Sequence, residues 1–163
     1  MRCRVEWMKL AVLIISSGLV GCSSIYVPPI GGSVAYADIP IIKSDYALLG
    51  GFSGEGIAFG EFDEDGCISN LSDVQVESLN EENLLPLRAG EYIAILAHGY
   101  QGNTSCLVPG AIKLEAGKLY SINFRMKYKS CALSVMESNP DGRNKKVVIE
   151  KVYNQFHKRC RKI

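Results

Sequence analysis

Short runs in which apolar and polar residues alternate, separated by glycine-containing turns, constrain the fold of this 163-residue chain most strongly. In residues 119–128, LYSINFRMKY, every second position from Tyr120 to Met126 is apolar, and Arg125 and Lys127 face the other way. A period of two puts successive side chains on opposite faces of a strand, so each run predicts a strand with one buried face. Runs of the same kind are GIAFGEF, DVQVESL, EYIAILAHGY and CALSVME.

Five turn signals separate these runs: DEDG, RAG, QGN, EAGK and NPDG. Gly, Asn, Asp and Pro supply the backbone conformations that tight turns need. Hydrophobic residues make up 47% of the chain, which is a globular value rather than a disordered one. We therefore predict one mainly β domain over residues 34–163, a small antiparallel β-sandwich or half-barrel.

Residues 146–160 fit two different structures. Val148, Val152 and Phe156 recur at helical spacing, which predicts an amphipathic helix that packs on the sheet. The segment KVVIEKV also alternates well enough to be a last strand. We favour the helix and keep the strand as the alternative.

The first residues of the chain have the organisation of an export signal. Arg2, Arg4 and Lys9 precede an eleven-residue apolar run, residues 10–20, which ends at small residues. That run is about half the length that a membrane-spanning helix needs. Met8 is a second plausible start, because residues 8–22 alone make a compact signal.

The run ends in Leu19-Val20-Gly21-Cys22, which resembles the lipobox of bacterial lipoproteins. The resemblance implies that residues 1–21 are a cleaved signal peptide and that the Cys22 thiol carries a diacylglycerol, the expected covalent group. Ser23, where an Asp would retain the protein in the inner membrane, implies the periplasmic face of the outer membrane. We expect residues 22–33, which contain two prolines and two adjacent glycines, to be a flexible tether.

Removal of Cys3 and Cys22 from the six cysteines leaves an even number in an exported chain, which predicts two disulfides with three possible pairings. A hairpin over residues 111–128 would bring position 106 near positions 127 and 128. We therefore favour Cys106–Cys131, which leaves Cys67 to pair with Cys160. A metal site is the weaker interpretation, because no two of these cysteines have the C-x₂-C spacing.

Few residues suggest chemistry. Asp63 and Asp65 follow an EF-hand loop in part, but Ser72 replaces the bidentate Glu, so they are weak candidates for a cation site. The segment HGYQGN resembles the oxyanion loop of α/β-hydrolases, but no G-x-S-x-G motif follows it, and we interpret it as a turn. We predict no catalytic residues and no cofactor beyond the lipid on Cys22.

Charge divides the chain into two parts. Residues 22–142 contain seven Lys/Arg and fifteen Asp/Glu, a net charge of −8, whereas residues 143–163 contain eight Lys/Arg and one Glu, a net charge of +7. The basic end suits anionic lipid or an acidic surface, including that of its own domain. It lacks the regular aromatic residues of a nucleic-acid site, and we expect no nucleic acid partner.

Residues 84–138 resemble a segment of many poorly characterised bacterial lipoproteins, in which a strand, an "AGKLY" turn and a further strand build a compact β-sandwich. That resemblance implies a fold and no activity. We predict a lipid-anchored binding module that is not an enzyme, with the membrane and an envelope protein or polymer as its partners. The alternatives are an immunity-type protein that neutralises a periplasmic toxin, a structural envelope protein and, less favoured, a small cell-wall hydrolase.

Overall fold

The computed structural model describes residues 24–40, 53–63, 66–127 and 130–152. In chain order the strands are β1 (Ser24–Ile25), β2 (Val34–Asp38), β3 (Ser53–Phe62), β4 (Ile68–Asp73), β5 (Leu85–Arg88), β6 (Tyr92–Gln101), β7 (Thr104–Lys113), β8 (Leu119–Lys127), β9 (Ser130–Ser138) and β10 (Lys145–Lys146). They form two packed sheets, which confirms the predicted mainly β sandwich.

Sheet one has the strand order β1-β4-β3-β6-β7, and sheet two has the order β10-β9-β8-β2-β5. Most neighbouring strands are antiparallel, as predicted. Two pairings are parallel, β1 with β4 and β2 with β8. Both parallel pairs join strands that are far apart in the chain, so local turn signals could not reveal them.

The core lies between the two sheets and consists of the inward side chains that the period-two runs predicted. On β8, Tyr120, Ile122 and Phe124 are buried, while Arg125 and Lys127 are exposed. Ile57 and Phe59 of β3 and Ile95 of β6 enter the same core from sheet one. Each fully buried side chain of this size stabilises the fold by about 1.5–3 kcal/mol relative to an exposed one.

A disulfide joins Cys106 to Cys131, as predicted, but the route that led to this prediction is wrong. Strands β7 and β8 do not form a hairpin: β7 pairs with β6, and β8 pairs with β9. The EAGK turn instead carries the chain from sheet one to sheet two. The disulfide, with a Cα–Cα distance of 6.3 Å, therefore connects β7 in one sheet to β9 in the other.

The segment DVQVESL, predicted to be a strand, contains a 3₁₀ turn over Val76–Ser78. Its two valines do not share a face, because Val74 is buried whereas Val76 is 59% exposed. The Ser78 hydroxyl fixes the turn: it accepts a hydrogen bond from the backbone N–H of Gln75 (3.3 Å) and donates one to the carbonyl of Tyr26 (2.9 Å).

Residues 145–152 are extended, so the helix that we favoured is wrong for this part of residues 146–160. Strand β10 pairs with β9, the Val147 N–H donates to the Val135 carbonyl (2.9 Å), and Glu150 then forms a bridge with Ala111 of β7. This segment crosses from the edge of sheet two to the edge of sheet one. Phe156 and the rest of the predicted helix lie outside the described residues.

The beginning of the predicted tether is docked on the domain. Strand β1 pairs with β4, the Ser24 hydroxyl donates to the Leu71 carbonyl (3.0 Å), and the Tyr26 N–H donates to the Asp73 carbonyl (2.9 Å). Residues 1–23, including Cys22, lie outside the described residues. Within the described ranges, we find no helix of the length and apolar character that crossing a membrane requires.

Candidate functional site

A cavity of about 340 Å³ opens at one end of the sandwich, where the end of β5 in sheet two meets the end of β3 and the start of β6 in sheet one. We call it the rim cavity. The chain reverses there between β5 and β6 through Gly90, whose φ of 90° is a left-handed value that glycine adopts without strain. The lining residues are Tyr26, Phe59, Gly60, Glu61, Phe62, Arg88, Glu91, Tyr92 and Ile93.

The charged side chains of the rim cavity form a small network around Arg88. The guanidinium lies 2.9 Å from Glu61 Oε1 and 3.8 Å from Glu91 Oε1. The second oxygen of Glu61 accepts a hydrogen bond from the side-chain amide of Asn70 (3.2 Å). Two carboxylates face one guanidinium, so these three side chains together carry a net charge of −1.

Aromatic rings form the walls of the rim cavity. Tyr26 packs edge-to-face on Phe59, with 5.8 Å between the ring centroids, and the Tyr26 hydroxyl donates to the Pro86 carbonyl (3.1 Å). Burial raises the pKa of Tyr26 to about 12, and the nearby Arg88 opposes that shift. At the opposite wall, the Lys113 ammonium lies 5.9 Å from the centroid of the Tyr92 ring.

The aromatic walls and the two carboxylates around Arg88 suit a ligand group that has an apolar body and a positive charge. The faces of Tyr and Phe rings attract cations, and the carboxylates of Glu61 and Glu91 do so more strongly. The volume falls in the range of small-molecule sites, and it would also accept one long side chain of a protein partner.

Asp63, one of the two weak cation candidates, is not among the described residues that line the rim cavity. Asp63 is in the turn between β3 and β4, where its carboxylate accepts a hydrogen bond from the Cys67 N–H (2.7 Å). Asp65 lies outside the described residues. Within the described part of the chain, no three His, Cys, Asp or Glu side chains are grouped to hold a metal ion.

The predicted cysteine sites are described in part. Cys106 and Cys131 are bonded to each other between the sheets, and Cys67 is itself part of a disulfide. Cys160, the partner predicted for Cys67, and Cys22, the predicted acylation site, lie outside the described residues. The pairing of Cys67 with Cys160 and the lipid on Cys22 stay predictions.

The segment HGYQGN forms the end of a hairpin, as interpreted from the sequence. The turn is Gly102–Asn103, between the paired residues Gln101 and Thr104, and His98 lies earlier, on β6. His98 Nε2 lies 3.4 Å from Asp73 Oδ1, on the outer face of sheet one. This pair and the rim cavity were both missed by sequence reasoning, because each joins residues that lie at least 25 positions apart.

One local signal did point to the rim cavity. The sequence LRAGEY, residues 87–92, contains Arg88, Glu91 and Tyr92 around a single turn. Charged and aromatic residues concentrated in one short turn suggest a binding edge, but the opposite wall, from Tyr26 to Phe62, comes from other parts of the chain.

Comparison of this chain with protein-family models, with curated protein sequences and with solved structures finds no match in any of the three. The residues themselves therefore carry the functional interpretation.

Proposed function

We propose that this chain is a lipid-anchored cell-envelope protein that works as a binding module, with its partner seated at the rim cavity. The observation that carries the binding role is the rim cavity itself, with aromatic walls and a partly satisfied charge network. The lipid on Cys22 and the periplasmic location are inferred from the lipobox resemblance. The partner group that fits is cationic, for example a Lys or Arg side chain or an amine of an envelope polymer.

The acylation of Cys22 is tested by intact mass spectrometry of the protein from membranes. We expect a chain that begins at Cys22 and carries the mass of its acyl groups. The Cys22→Ser variant should accumulate as a precursor that keeps residues 1–21. A wild-type chain that keeps those residues, or a Cys22→Ser variant that is processed normally, would contradict the anchor.

The binding role is tested by photo-crosslinking in intact cells. A crosslinking amino acid at Glu91, on the cavity rim, should capture a specific envelope component. The matched control carries the same amino acid at Asn103, which is exposed at the other end of β6. Capture should also decrease when Glu61→Gln is added, because this substitution removes a carboxylate that would attract the cationic group. Equal crosslinked products from positions 91 and 103 would contradict a binding role for this cavity.

A second candidate, the immunity-type role, has one observation in its favour. Residues 61–91 contain nine Asp/Glu and only one basic residue, Arg88, and they include four of the nine residues that line the rim cavity. An acidic edge suits a basic protein partner, since opposite charges speed encounter and align the two surfaces. If the product captured from position 91 is a basic protein whose binding weakens steeply between low and high salt, this role is favoured. Capture of a neutral polymer would reject it.

A further inference from the structure

The outer face of sheet one exposes a group of apolar side chains that do not pack in the core between the two sheets. We call this group the apolar face; its members are Ile25, Leu71, Leu96, Tyr100, Leu107 and Pro109. Leu107 is 58% exposed, Ile25 is 45% exposed and Tyr100 is 44% exposed. The strand registers place these residues on one side of the sheet, because Ile25 pairs with Asp73, Leu96 with Pro109 and His98 with Leu107. Contiguous exposed apolar surface of this kind marks a contact site.

The apolar face is flat. Strand β3 lies at the centre of this face, and its outward positions are Gly54, Gly56, Ala58 and Gly60. The rings of Tyr100 and His98 lie across the first two glycines, where an added Cβ would be 2.5 Å from an atom of each ring. Small residues thus allow the neighbouring rings to lie down on the sheet, and the face has no central ridge.

Charge is sparse on this face. At its centre, Asp73 is in contact with His98. The one Lys or Arg on the outward positions of the described strands of sheet one is Lys113, which lies at the end of β7 against the Tyr92 ring. A surface with this little charge favours an apolar or interfacial environment over a strongly charged protein partner.

Both ends of the described chain reach this face. Strand β1 forms one edge of sheet one, and a single residue, Ser23, separates Ser24 from Cys22. Two residues span at most about 7 Å, so an acyl anchor on Cys22 would hold this edge at the lipid headgroups. At the other end, Val152 is buried against Ala94 and Ala111 on the outward side.

The segment that follows Val152 is basic. Residues 153–163, which follow Val152 directly in the sequence, contain four Lys/Arg and no Asp or Glu, a net charge of +4. Lys and Arg side chains near an anionic membrane surface are attracted to it electrostatically. An apolar face, an adjacent lipid anchor and a basic segment directly after Val152 all favour one occupant, the surface of a bilayer with anionic lipid.

We propose that the apolar face of sheet one lies on the membrane surface. This inference rests on the proposed acylation of Cys22. It orients the domain with sheet two directed away from the bilayer, and it leaves the rim cavity open at the end of the sandwich for a partner.

A single tryptophan tests this orientation, because the one Trp of the chain, Trp7, lies in the segment predicted to be cleaved. The Leu107→Trp variant places the reporter on the apolar face. The control, Ala132→Trp, places it at an exposed position on the outer face of sheet two. Both acylated proteins are reconstituted in vesicles of phosphatidylethanolamine and phosphatidylglycerol, with and without brominated acyl chains.

We expect the emission of Leu107→Trp to shift to shorter wavelength and to be quenched at least twofold by brominated lipid, while Ala132→Trp keeps the emission of a water-exposed indole. Tyr100→Trp replaces Leu107→Trp if that variant does not fold, and the same result is expected. Equal quenching at positions 107 and 132, or none at either, would overturn the orientation. Shielding of position 107 without bromine quenching would mean that a second copy covers the face, which also overturns it.

Two further measurements separate this proposal from the one on which it rests. Intact mass of each reconstituted sample reports acylation: a chain without lipid overturns both proposals, whereas an acylated chain with an exposed Trp at position 107 overturns only the orientation. Shielding of position 107 in native membranes but not in the lipid vesicles would assign the face to an envelope protein and overturn the lipid contact.

Discussion

The outer faces of the two sheets differ sharply although their strands have similar lengths. Sheet two directs mostly polar and charged side chains outward, including Asp38, Ser121, Asn123, Arg125, Lys127, Ser134 and Ser138, and the apolar side chains among them are Val34, Tyr36, Pro86, Leu119, Ala132 and Met136. Sheet one directs glycine, alanine and apolar side chains outward, with the pair Asp73–His98 at the centre. One sheet is built to face water, and the other is built to be covered.

Strands β8 and β6 show this difference in their sequences. In β8 buried residues alternate with polar ones, which is the pattern of a strand in contact with water on one side. In β6 the residues from Ile93 to Ala97 are all apolar and all at least half-buried. A continuous apolar run is typical of strands that are covered on both faces. The sequence YIAILA thus indicates that β6 is covered on both faces, and on the outward side Val152 packs against Ala94.

The largest expected effect comes from removing the Cys106–Cys131 disulfide, which links the two sheets covalently. The double variant Cys106→Ser, Cys131→Ser should lose about 3 kcal/mol of unfolding free energy, because the bridge closes a loop between positions 25 residues apart. Urea denaturation of this variant beside a Ser105→Ala control measures the loss. A loss equal to that of the control would mean that the disulfide does not hold the sheets together.

A second variant tests whether the flat apolar face needs its glycines. Gly60→Ala would place a Cβ 2.5 Å from the backbone oxygen of Ser69, and the backbone has to move. We expect a loss of about 1–3 kcal/mol. Gly56→Ala, the matched control, meets only the movable ring of His98 and should cost less. The reverse order in thermal denaturation would show that the His98 ring is fixed.

The sequence predicted best the strands that are buried on one face only. In an alternating run such as LYSINFRMKY, the polarity of each residue matches the face on which it lies. It failed where a distant contact decided the local structure. The 3₁₀ turn at Val76 depends on the hydrogen bond from Ser78 to Tyr26, 52 residues away. The turn at Glu115 was recognisable, but no local feature shows that it changes sheets. Sequence reasoning missed the rim cavity for the same reason, because its walls come from Tyr26 and from strands β3, β5 and β6.

A smaller effect is expected at Tyr26, which is hydrogen-bonded to Asp73 of sheet one and to Pro86 of sheet two. Tyr26→Phe removes the hydrogen bond to Pro86 and should cost about 1 kcal/mol at neutral pH. The Tyr26 pKa is about 12 in the folded chain against an ordinary value of 10.0, so above pH 10 the unfolded chain loses its proton first. Wild-type stability should therefore be intact below pH 10 and decrease from pH 10 to 12.

Urea denaturation across this pH range measures the Tyr26 contribution. The decrease should be smaller in Tyr26→Phe than in the wild type. Tyr36→Phe, at a ring that is 37% exposed on sheet two, serves as the control. Identical pH profiles for wild type and Tyr26→Phe would contradict a buried hydroxyl at position 26.

The smallest expected effect concerns the exposed leucines of the two outer faces. Leu107→Lys and Leu119→Lys should each change the unfolding free energy by less than about 0.5 kcal/mol in detergent solution, because neither side chain is buried in the fold. A loss above about 1 kcal/mol for Leu107→Lys alone would show that its own chain covers this leucine. Leu107 would then be part of the packed fold and not of a surface that a membrane covers.

The orientation of the domain on the membrane is tested most directly by hydroxyl-radical footprinting of the acylated wild-type protein in vesicles. Two matched pairs are available, Tyr100 with Tyr36 and Leu107 with Leu119. In the free domain the members on sheet one are the more exposed, 44% against 37% for the tyrosines and 58% against 39% for the leucines. We predict the reverse order of labelling in vesicles, with Tyr36 and Leu119 oxidised more than their partners on sheet one. Labelling that follows the exposures of the free domain would contradict a membrane contact through the apolar face.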